Sequence, residues 1–281
     1  MLPFEVPIAS YAEDFVWFLL DNFQSVFDFI SGHISSLVEQ LNFALGYLPP
    51  WVLILILALL AWRLANWGTA VFTVIGLLIV ENLGLWDPIV ESTALILVAE
   101  VLVILIGIPL GILAAKSDWV DRIIRPILDF MQTMPAFVYL IPAVMLFGLG
   151  IVPGVIATVI FALPPLVRLT NLGIRQVPTD LVEAGEAFGS SRMQLLLKVQ
   201  LPMANPTIMT GINQSIMLAL SMVVISAMIG AGGVGSEVLR GIQRLDVGRG
   251  FAAGLAVVVL AIIMDRITQN IGRQKQIPQG G

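Results

Sequence analysis

The chain has 281 residues, of which 58% are apolar and only 12% charged, and its net charge at pH 7 is −5. A soluble domain usually has about twice that charged fraction, so the composition excludes a soluble globule and indicates an integral membrane protein. The chain has no cysteine, which excludes disulfides and thiolate metal sites, and its single histidine is His33. We therefore predict no metal site and no catalytic residue.

Residues 1–48 contain no lysine or arginine but carry six acidic residues. Apolar residues recur at helical spacing between positions 15 and 43, which predicts an amphipathic helix with a break near Gly32. Basic interfacial helices are attracted to anionic lipid, and this acidic segment lacks that attraction. We expect it on the outer face of the membrane, along the bilayer or packed against the spans, in a packing role rather than a regulatory one.

Seven apolar segments follow, at residues 51–61, 68–80, 93–115, 136–148, 152–167, 208–229 and 251–264. A membrane-spanning helix needs roughly 20 residues, so the shorter segments must include flanking residues. Short turns separate the first from the second and the fourth from the fifth, which predicts two helical hairpins. The fold class predicted is an all-helical polytopic membrane bundle with about seven spans.

Two polar connectors have their own patterns. Residues 116–134 carry apolar side chains at helical spacing, which predicts an amphipathic helix at the cytoplasmic interface, and Met134-Pro135 predicts a bend before the next span. Residues 229–250 form a glycine-rich outer segment in which Arg240 and Arg244 lie one turn apart. These arginines are candidates for docking an external binding protein, or they simply solvate the segment. Its G-x-G-x-x-G spacing follows a membrane helix and not a strand, so we reject a dinucleotide site.

The polar segment between the fifth and sixth spans reads VEAGEAFGSSRMQLLLKVQLP from Val182 to Pro202. Asp180 and Glu183 predict a capping box that starts a helix near Leu181, and Gly189 predicts its end. Ser190 or Ser191 can cap a second short helix, which Pro202 should stop. The segment is therefore predicted to be a helix-turn-helix between spans, and on its residues alone an ordinary solvated loop remains the alternative.

This segment resembles the cytoplasmic EAA loop of ABC importer permeases, whose pattern is matched by Glu183, Ala184, Gly185, Gly189, Val199, Leu201 and Pro202. Residues 135–154, 161–178 and 213–235 look like the permeases of glycine betaine/proline (quaternary amine) ABC importers. The resemblance covers residues 91–269. It divides the chain into an outer segment (1–48), two extra spans (49–90), a permease core (91–269) with a coupling loop (180–202), and a cytoplasmic tail (270–281).

The resemblance implies a MetI-like type I permease fold whose five-span core, residues 93–264, dimerises around a central pathway. Two copies would pair with two ATPase subunits, and an outer binding protein would deliver glycine betaine, proline betaine, choline or a relative. The loop would form a coupling helix that docks into a cleft on the ATPase. Its coupling residues are Glu183, Ala184, Gly185, Glu186, Phe188, Gly189, Leu201 and Pro202.

The basic residues indicate the orientation. With the coupling loop inside, eleven of the fourteen lysines and arginines are cytoplasmic, and only Arg240, Arg244 and Arg249 are outside. This agrees with the positive-inside rule and places the N-terminus outside and the C-terminus inside a bacterial inner membrane. None of the three lysines follows a glycine, so the chain has no P-loop. We predict no cofactor in this chain, with ATP and Mg²⁺ on a partner ATPase, and no nucleic-acid partner.

Polar residues inside the spans are candidates for the pathway. These are Glu100, Asn213, Gln214 and Ser221, together with Tyr139 in a small aromatic grouping. Glu100 could attract a cationic substrate or be a buried structural partner, and the amides could line a pathway or bond neighbouring helices. The alternative functions are an ion-driven secondary carrier of amines, for which Glu100 alone is thin support, and a channel or osmosensor that does not pump.

Overall fold

The computed structural model describes residues 7–273, and within that range all regular structure is helical. In chain order the helices are α1 (Ile8–Gly46), α2 (Pro50–Leu64), α3 (Trp67–Asn82), α4 (Trp86–Lys116), α5 (Asp118–Thr133), α6 (Ala136–Phe147), α7 (Ile151–Arg175), α8 (Thr179–Ala187), α9 (Arg192–Leu195), α10 (Leu201–Ala227), α11 (Gly233–Arg244) and α12 (Val247–Arg273). A π-helical turn, Leu196–Gln200, joins α9 to α10. Most of the predicted tail, residues 270–281, lies outside the described range.

The predicted spans correspond to α2, α3, α4, α6, α7, α10 and α12. By length and composition α4, α7, the run Arg192–Ala227 and α12 can each cross a membrane alone. α2 and α6 reach that length only with the helices before them, from which they are bent by 100° and 104°, and α3, an apolar helix of 16 residues, is also below it. About seven spans is therefore roughly consistent with four long helices and the shorter apolar ones.

α7 is the centre of the bundle and packs against α4 on one side and α10 on the other. Gly107 and Gly111, one helical turn apart on α4, face Leu166 and Thr170 of α7. A methyl group at Gly111 would lie 2.5 Å from the Thr170 Cβ atom. Small residues let membrane helices approach closely, so these glycines explain why α4 and α7 are in such intimate contact.

α1 packs on this bundle through Ile34 and Val38, which are buried, and through Phe27, whose ring meets Phe147 edge-on at 5.5 Å. Its acidic residues remain exposed, as an amphipathic helix predicts, but so do most of its aromatic residues. The expected break near Gly32 is wrong. The chain stays helical at Gly32 and departs from helical geometry at Phe23, with φ −126° and ψ 15°.

Two shorter helices connect the spans at the two ends of the bundle. α5 joins α4 to α6 and is bent by 104° from α6, which confirms the predicted amphipathic helix and the bend at Met134-Pro135. α11 joins α10 to α12 and contains Arg240 and Arg244, as predicted. The first amides of α11 are bonded by α4, because Glu91 accepts from the Gly233 N–H (2.7 Å) and Ser92 Oγ from the Val234 N–H (2.9 Å).

Candidate functional site

The coupling loop begins with α8, a nine-residue helix that has no buried residue. α8 starts at Thr179 after Pro178, and no side chain caps it. The predicted Asp180–Glu183 capping box is therefore wrong. Pro178 occupies the cap position, and Asp180 lies inside the first turn, where an acidic side chain stabilises the positive end of the helix dipole.

The end of α8 follows the prediction closely. Gly189 has φ +77°, a left-handed conformation that glycine adopts without steric cost. The Ser190 N–H donates to the Gly185 carbonyl (3.0 Å), and the Gly189 N–H donates to the Glu186 carbonyl (2.9 Å). This pair of bonds is the Schellman motif, which satisfies the last carbonyls of the helix and fixes the turn that follows.

The second half of the loop starts at Ser191 and does not stop at Pro202. Ser191 and Gln194 form a complete capping box, which confirms the predicted cap. The chain then continues through the π-helical turn into α10, where Pro202 lies in the first turn. The predicted stop is wrong because the helical run is continuous from Arg192 to Ala227, with a π-helical turn directly before Pro202 in which the Leu201 N–H donates to the Leu196 carbonyl.

The two halves of the loop pack against each other at Gly185. A methyl group there would lie 2.7 Å from Leu195 Cδ1, and Leu195 itself is buried. The small residue at this position therefore lets α8 lie directly on the segment that leads into α10. α8 is therefore in direct contact with the segment that continues into α10.

Most of the remaining surface of α8 is open. Glu183, Ala184 and Glu186 are exposed, Leu181 is 42% exposed, and Phe188 is 91% exposed at the end of the helix. A bare phenylalanine beside carboxylates, held on a capped helix, is suited to fill a pocket on another protein. Leu201 is half-buried behind the loop, so it supports the loop and is not part of this surface.

A polar network on the same side of the bundle ties α5 to α7. Arg175 pairs with Asp118 (2.7 Å) and also donates to the Ala114 carbonyl (2.9 Å). Asn171 donates to Asp121 (2.7 Å), and Arg168 donates to both Asp129 and Gln132. The network lies just before the coupling loop in the chain. No local sequence pattern predicts this network, because the partners are 36 to 61 residues apart.

Two of the predicted pathway residues share a bare face of α10. Gln214 and Ser221 are exposed and lie two helical turns apart. The same face carries Thr210, Met217 and Met228, which are also exposed. In a membrane-spanning helix, such a mixture of amide, hydroxyl and thioether groups is better suited to a water-containing passage than to lipid.

The structure places Glu100 and Asn213 elsewhere, between helices. Glu100 is buried and accepts a hydrogen bond from Ser215 Oγ (2.6 Å), and it lines a largely apolar cavity of about 250 Å³. Asn213 donates to Asp265 (3.0 Å) and accepts from Thr268 (2.7 Å) of α12. Both arrangements are the helix–helix hydrogen bonding that the sequence left open as the alternative.

Tyr139 is buried in a small apolar cluster between α6, α7 and α10, with its ring edge-on to Phe161 at 6.2 Å. Its hydroxyl has no hydrogen-bond partner among the described residues. The cluster contains Met222 and Ile225 of α10, next to the bare face that carries Ser221. Tyr139 therefore lies behind this face and is not exposed on it.

On the opposite side of the bundle, Arg240 pairs with Glu237 (2.5 Å), and Arg249 pairs with the same carboxylate (2.5 Å). Glu237 is buried, and its bond to Arg249 holds α11 onto the start of α12, while its bond to Arg240 lies within α11. Sequence reasoning missed this role of Glu237. Arg240 and Arg244 are both exposed on α11, which leaves them available to a partner.

Residues 107–276 match the family of binding-protein-dependent transport system inner membrane components. The matched segment is more than half of the chain and contains the whole coupling loop. The chain belongs to this family. The permease is 51% identical over 271 residues to the glycine betaine transport system permease protein OpuAB of Bacillus subtilis (strain 168), covering 96% of each chain.

Two further relatives agree. The permease is 50% identical over 273 residues to the glycine betaine/carnitine transport permease protein GbuB of Listeria monocytogenes serotype 1/2a (strain 10403S), covering 96% of each chain. It is 48% identical over 271 residues to the glycine betaine/proline betaine transport system permease protein ProW of Escherichia coli (strain K12), covering 96% of this chain and 77% of that one. These relatives support the permease interpretation and not the ion-driven carrier.

The fold is similar to that of a chain in the inward-facing MetNI methionine ABC transporter. The TM-score is 0.58 at 21% identity, and the match covers 65% of this chain and 91% of that chain. At this identity the likeness concerns the fold alone. It confirms the predicted MetI-like type I permease fold.

Proposed function

We propose that this permease imports glycine betaine, proline betaine, choline or a related quaternary amine, in an ATP-driven complex with a separate ATPase and an external binding protein. The observation that carries the proposal is the exposed, capped helix α8, at the position where the residues of the chain follow the EAA pattern. The similarity to the glycine betaine permeases OpuAB, GbuB and ProW supports the substrate class.

The coupling step follows from the geometry of the loop. Closure of two ATPase subunits would draw two copies of α8 together, with Phe188 as the anchor in each docking cleft. Motion of α8 would reach two spans. Gly185 packs against Leu195, in the segment that continues into α10, and Pro178 links α8 to the end of α7. Because α7 and α10 are the most closely packed pair in the bundle, they should move as one body.

The substrate pathway lies between two copies of the permease in this proposal. The bare face of α10, with Gln214 and Ser221, would form one wall, and the same face of the second copy would form the other. In a twofold-symmetric dimer, the same face of each copy would line the one passage between them. Glu100 and Asn213 remain pathway candidates only in an indirect sense, since they hold α4 and α12 against the back of α10.

Selectivity would reside mainly in the external binding protein. Quaternary ammonium groups are usually bound by several aromatic rings through cation–π attraction. In the described part of the permease, the aromatic pair nearest to the proposed pathway is Tyr139 with Phe161, and Tyr139 is buried. Arg240 and Arg244 on α11 are the proposed contacts for the docked binding protein. The orientation proposed has the N-terminus outside and the C-terminus in the cytoplasm.

The test is reconstitution of the permease with its ATPase in vesicles, with the binding protein and labelled glycine betaine outside. We expect uptake that requires internal Mg-ATP and external binding protein and that resists an ionophore. Phe188→Ala should abolish most uptake while leaving insertion intact. Phe43→Ala, which removes another exposed phenylalanine, from α1 (72% exposed), is the matched control and should transport normally.

Uptake that persists without ATP and collapses with an ionophore would contradict the proposal and favour the secondary carrier. Conductance of the purified chain with no ATPase present would favour a channel.

A further inference from the structure

α5 carries a row of large apolar side chains that the described protein leaves bare. Trp119, Ile123, Ile127 and Phe130 are 68%, 44%, 53% and 64% exposed. Their spacing of four, four and three residues places them on one face of the helix. Because α5 is 16 residues long, or about 24 Å, the row extends over most of its length.

The row is one half of a wider apolar surface on α5. The neighbouring face carries Ile124, Leu128 and Met131, which pack against the hydrophobic core of the bundle. The remaining face is polar and exposed, with Arg122, Arg125 and Asp129. The protein therefore covers only half of the apolar surface of α5, and the polar face lies opposite to it.

The direction of α5 indicates what covers the other half. α5 is bent by 104° from α6. α6 has 12 residues, so at about 18 Å it covers only part of the bilayer, and with α6 directed along the membrane normal α5 lies nearly parallel to the membrane plane. The chain leaves other apolar side chains bare on either side of α5, at Leu113 near the end of α4 (53% exposed) and at Phe137 in α6 (54% exposed).

We propose that the row Trp119, Ile123, Ile127 and Phe130 is inserted in the inner leaflet of the bilayer, so that α5 is an interfacial helix held by lipid on one side and by the bundle on the other. Helices of this kind sit with the apolar face roughly 5–10 Å into the boundary between headgroups and acyl chains. Insertion is driven by apolar burial and not by lipid charge, since three aspartates on α5 outnumber its two arginines.

This placement fixes the depth in the membrane of the polar network that joins α5 to α7. The bonds from Asp118, Asp121 and Asp129 to α7 hold the polar half of α5 beside the end of α7, from which the coupling loop starts. A helix embedded in the leaflet resists motion along the membrane normal. Motion of α8 is then directed into α7 and α10 and does not lift the inner end of the bundle.

The absence of native cysteine allows a direct test. A nitroxide is attached to Ile123→Cys or Ile127→Cys in the permease–ATPase complex, in nanodiscs of phosphatidylcholine. Collisions with oxygen, which partitions into lipid, are compared with collisions with a water-soluble nickel chelate. Arg122→Cys, on the exposed polar face and outside the ion pairs of α5, is the matched control, and Leu128→Cys is the buried reference.

We expect labels at positions 123 and 127 to favour oxygen and the label at position 122 to favour the nickel chelate, each by several fold. Labels at 123 and 127 shielded from both probes, as at 128, would mean that the ATPase or a second copy covers the row, and the proposal would be overturned. So would labels that meet the nickel chelate freely. The oxygen preference should persist when anionic lipid is added, and a preference seen only with anionic lipid would overturn the hydrophobic assignment. None of these readouts requires transport, so they stand apart from the test of substrate.

Discussion

At the scale of single residues, the coupling loop depends on positions where a side chain is missing. Gly185 lacks the methyl group that would meet Leu195, and Gly189 has the left-handed conformation that ends α8. The two glycines have different structural roles. Gly185 sets the distance between α8 and the segment before α10, while Gly189 sets the direction in which the chain leaves α8.

Replacing Gly189 with alanine should impair coupling. The left-handed conformation costs an alanine about 1–2 kcal/mol, while the surroundings offer it open space, so the strain is purely in the backbone. We expect slower uptake with normal membrane insertion, measured by transport in vesicles containing the ATPase. Gly254→Ala is the control, because Gly254 also has open space but lies in the middle of α12. Equal uptake by both variants would mean that the turn is not mechanically important.

At the scale of elements, α7 organises the permease because its neighbours approach it through small residues. Gly111 of α4 would meet both a side chain and a backbone carbonyl of α7 if it gained a methyl group: Thr170 Cβ at 2.5 Å and the Val167 carbonyl at 2.8 Å. A flexible side chain can move aside, whereas a backbone carbonyl inside a helix cannot. This contact should therefore be among the least tolerant in the bundle.

We predict that Gly111→Ala lowers the stability of the permease by about 1–3 kcal/mol, the usual effect of overpacking a tight contact. The measurement is the thermal midpoint of the detergent-solubilised protein. Gly32→Ala is the matched control, because Gly32 lies in the helical part of α1 and a methyl group there would meet nothing within 4 Å. Since alanine favours helices, the control should hold or raise the midpoint. A midpoint for Gly111→Ala at or above that of the parent would show that α4 and α7 can separate freely.

Local patterns predicted the elements, and they failed where distant contacts or helix chemistry decided the outcome. Apolar periodicity was enough for the spans and for α5, and single residues were enough for the turn at Gly189 and the cap at Ser191. The stop at Pro202 was wrong because a π-helical turn carries the helix past this proline. The Arg168 and Arg175 bonds to α5 and the Glu237 pairs on α11 could not be predicted, because no local pattern shows which distant side chain an arginine will meet.

At the scale of the whole molecule, the described surface divides into regions for which we propose different partners. The bare face of α8 is suited to an ATPase, α11 to an external protein, and the face of α10 with Gln214 and Ser221 to a second copy around a passage. The resemblance predicted all three partners, but the sequence could not separate Gln214 and Ser221 from Glu100 and Asn213. All four are polar residues in spans, and only their packing shows that two face outward and two bond other helices.

The passage can be tested by chemical access to α10. Ser221→Cys places a thiol on the bare face, while Ala219→Cys places one on the fully buried side of the same helix, two residues away. If two copies enclose a water-containing pathway, a small charged thiol reagent should modify Ser221→Cys in the assembled complex and block uptake. The rate of modification of Ser221→Cys should change when ATP closes the ATPase, because the passage then opens to the outer side of the membrane. Ala219→Cys should react at least tenfold more slowly in every state. If Ser221→Cys is unreactive toward the charged reagent but reacts with a membrane-soluble maleimide, the face lies in lipid, and the pathway must be sought on another helix.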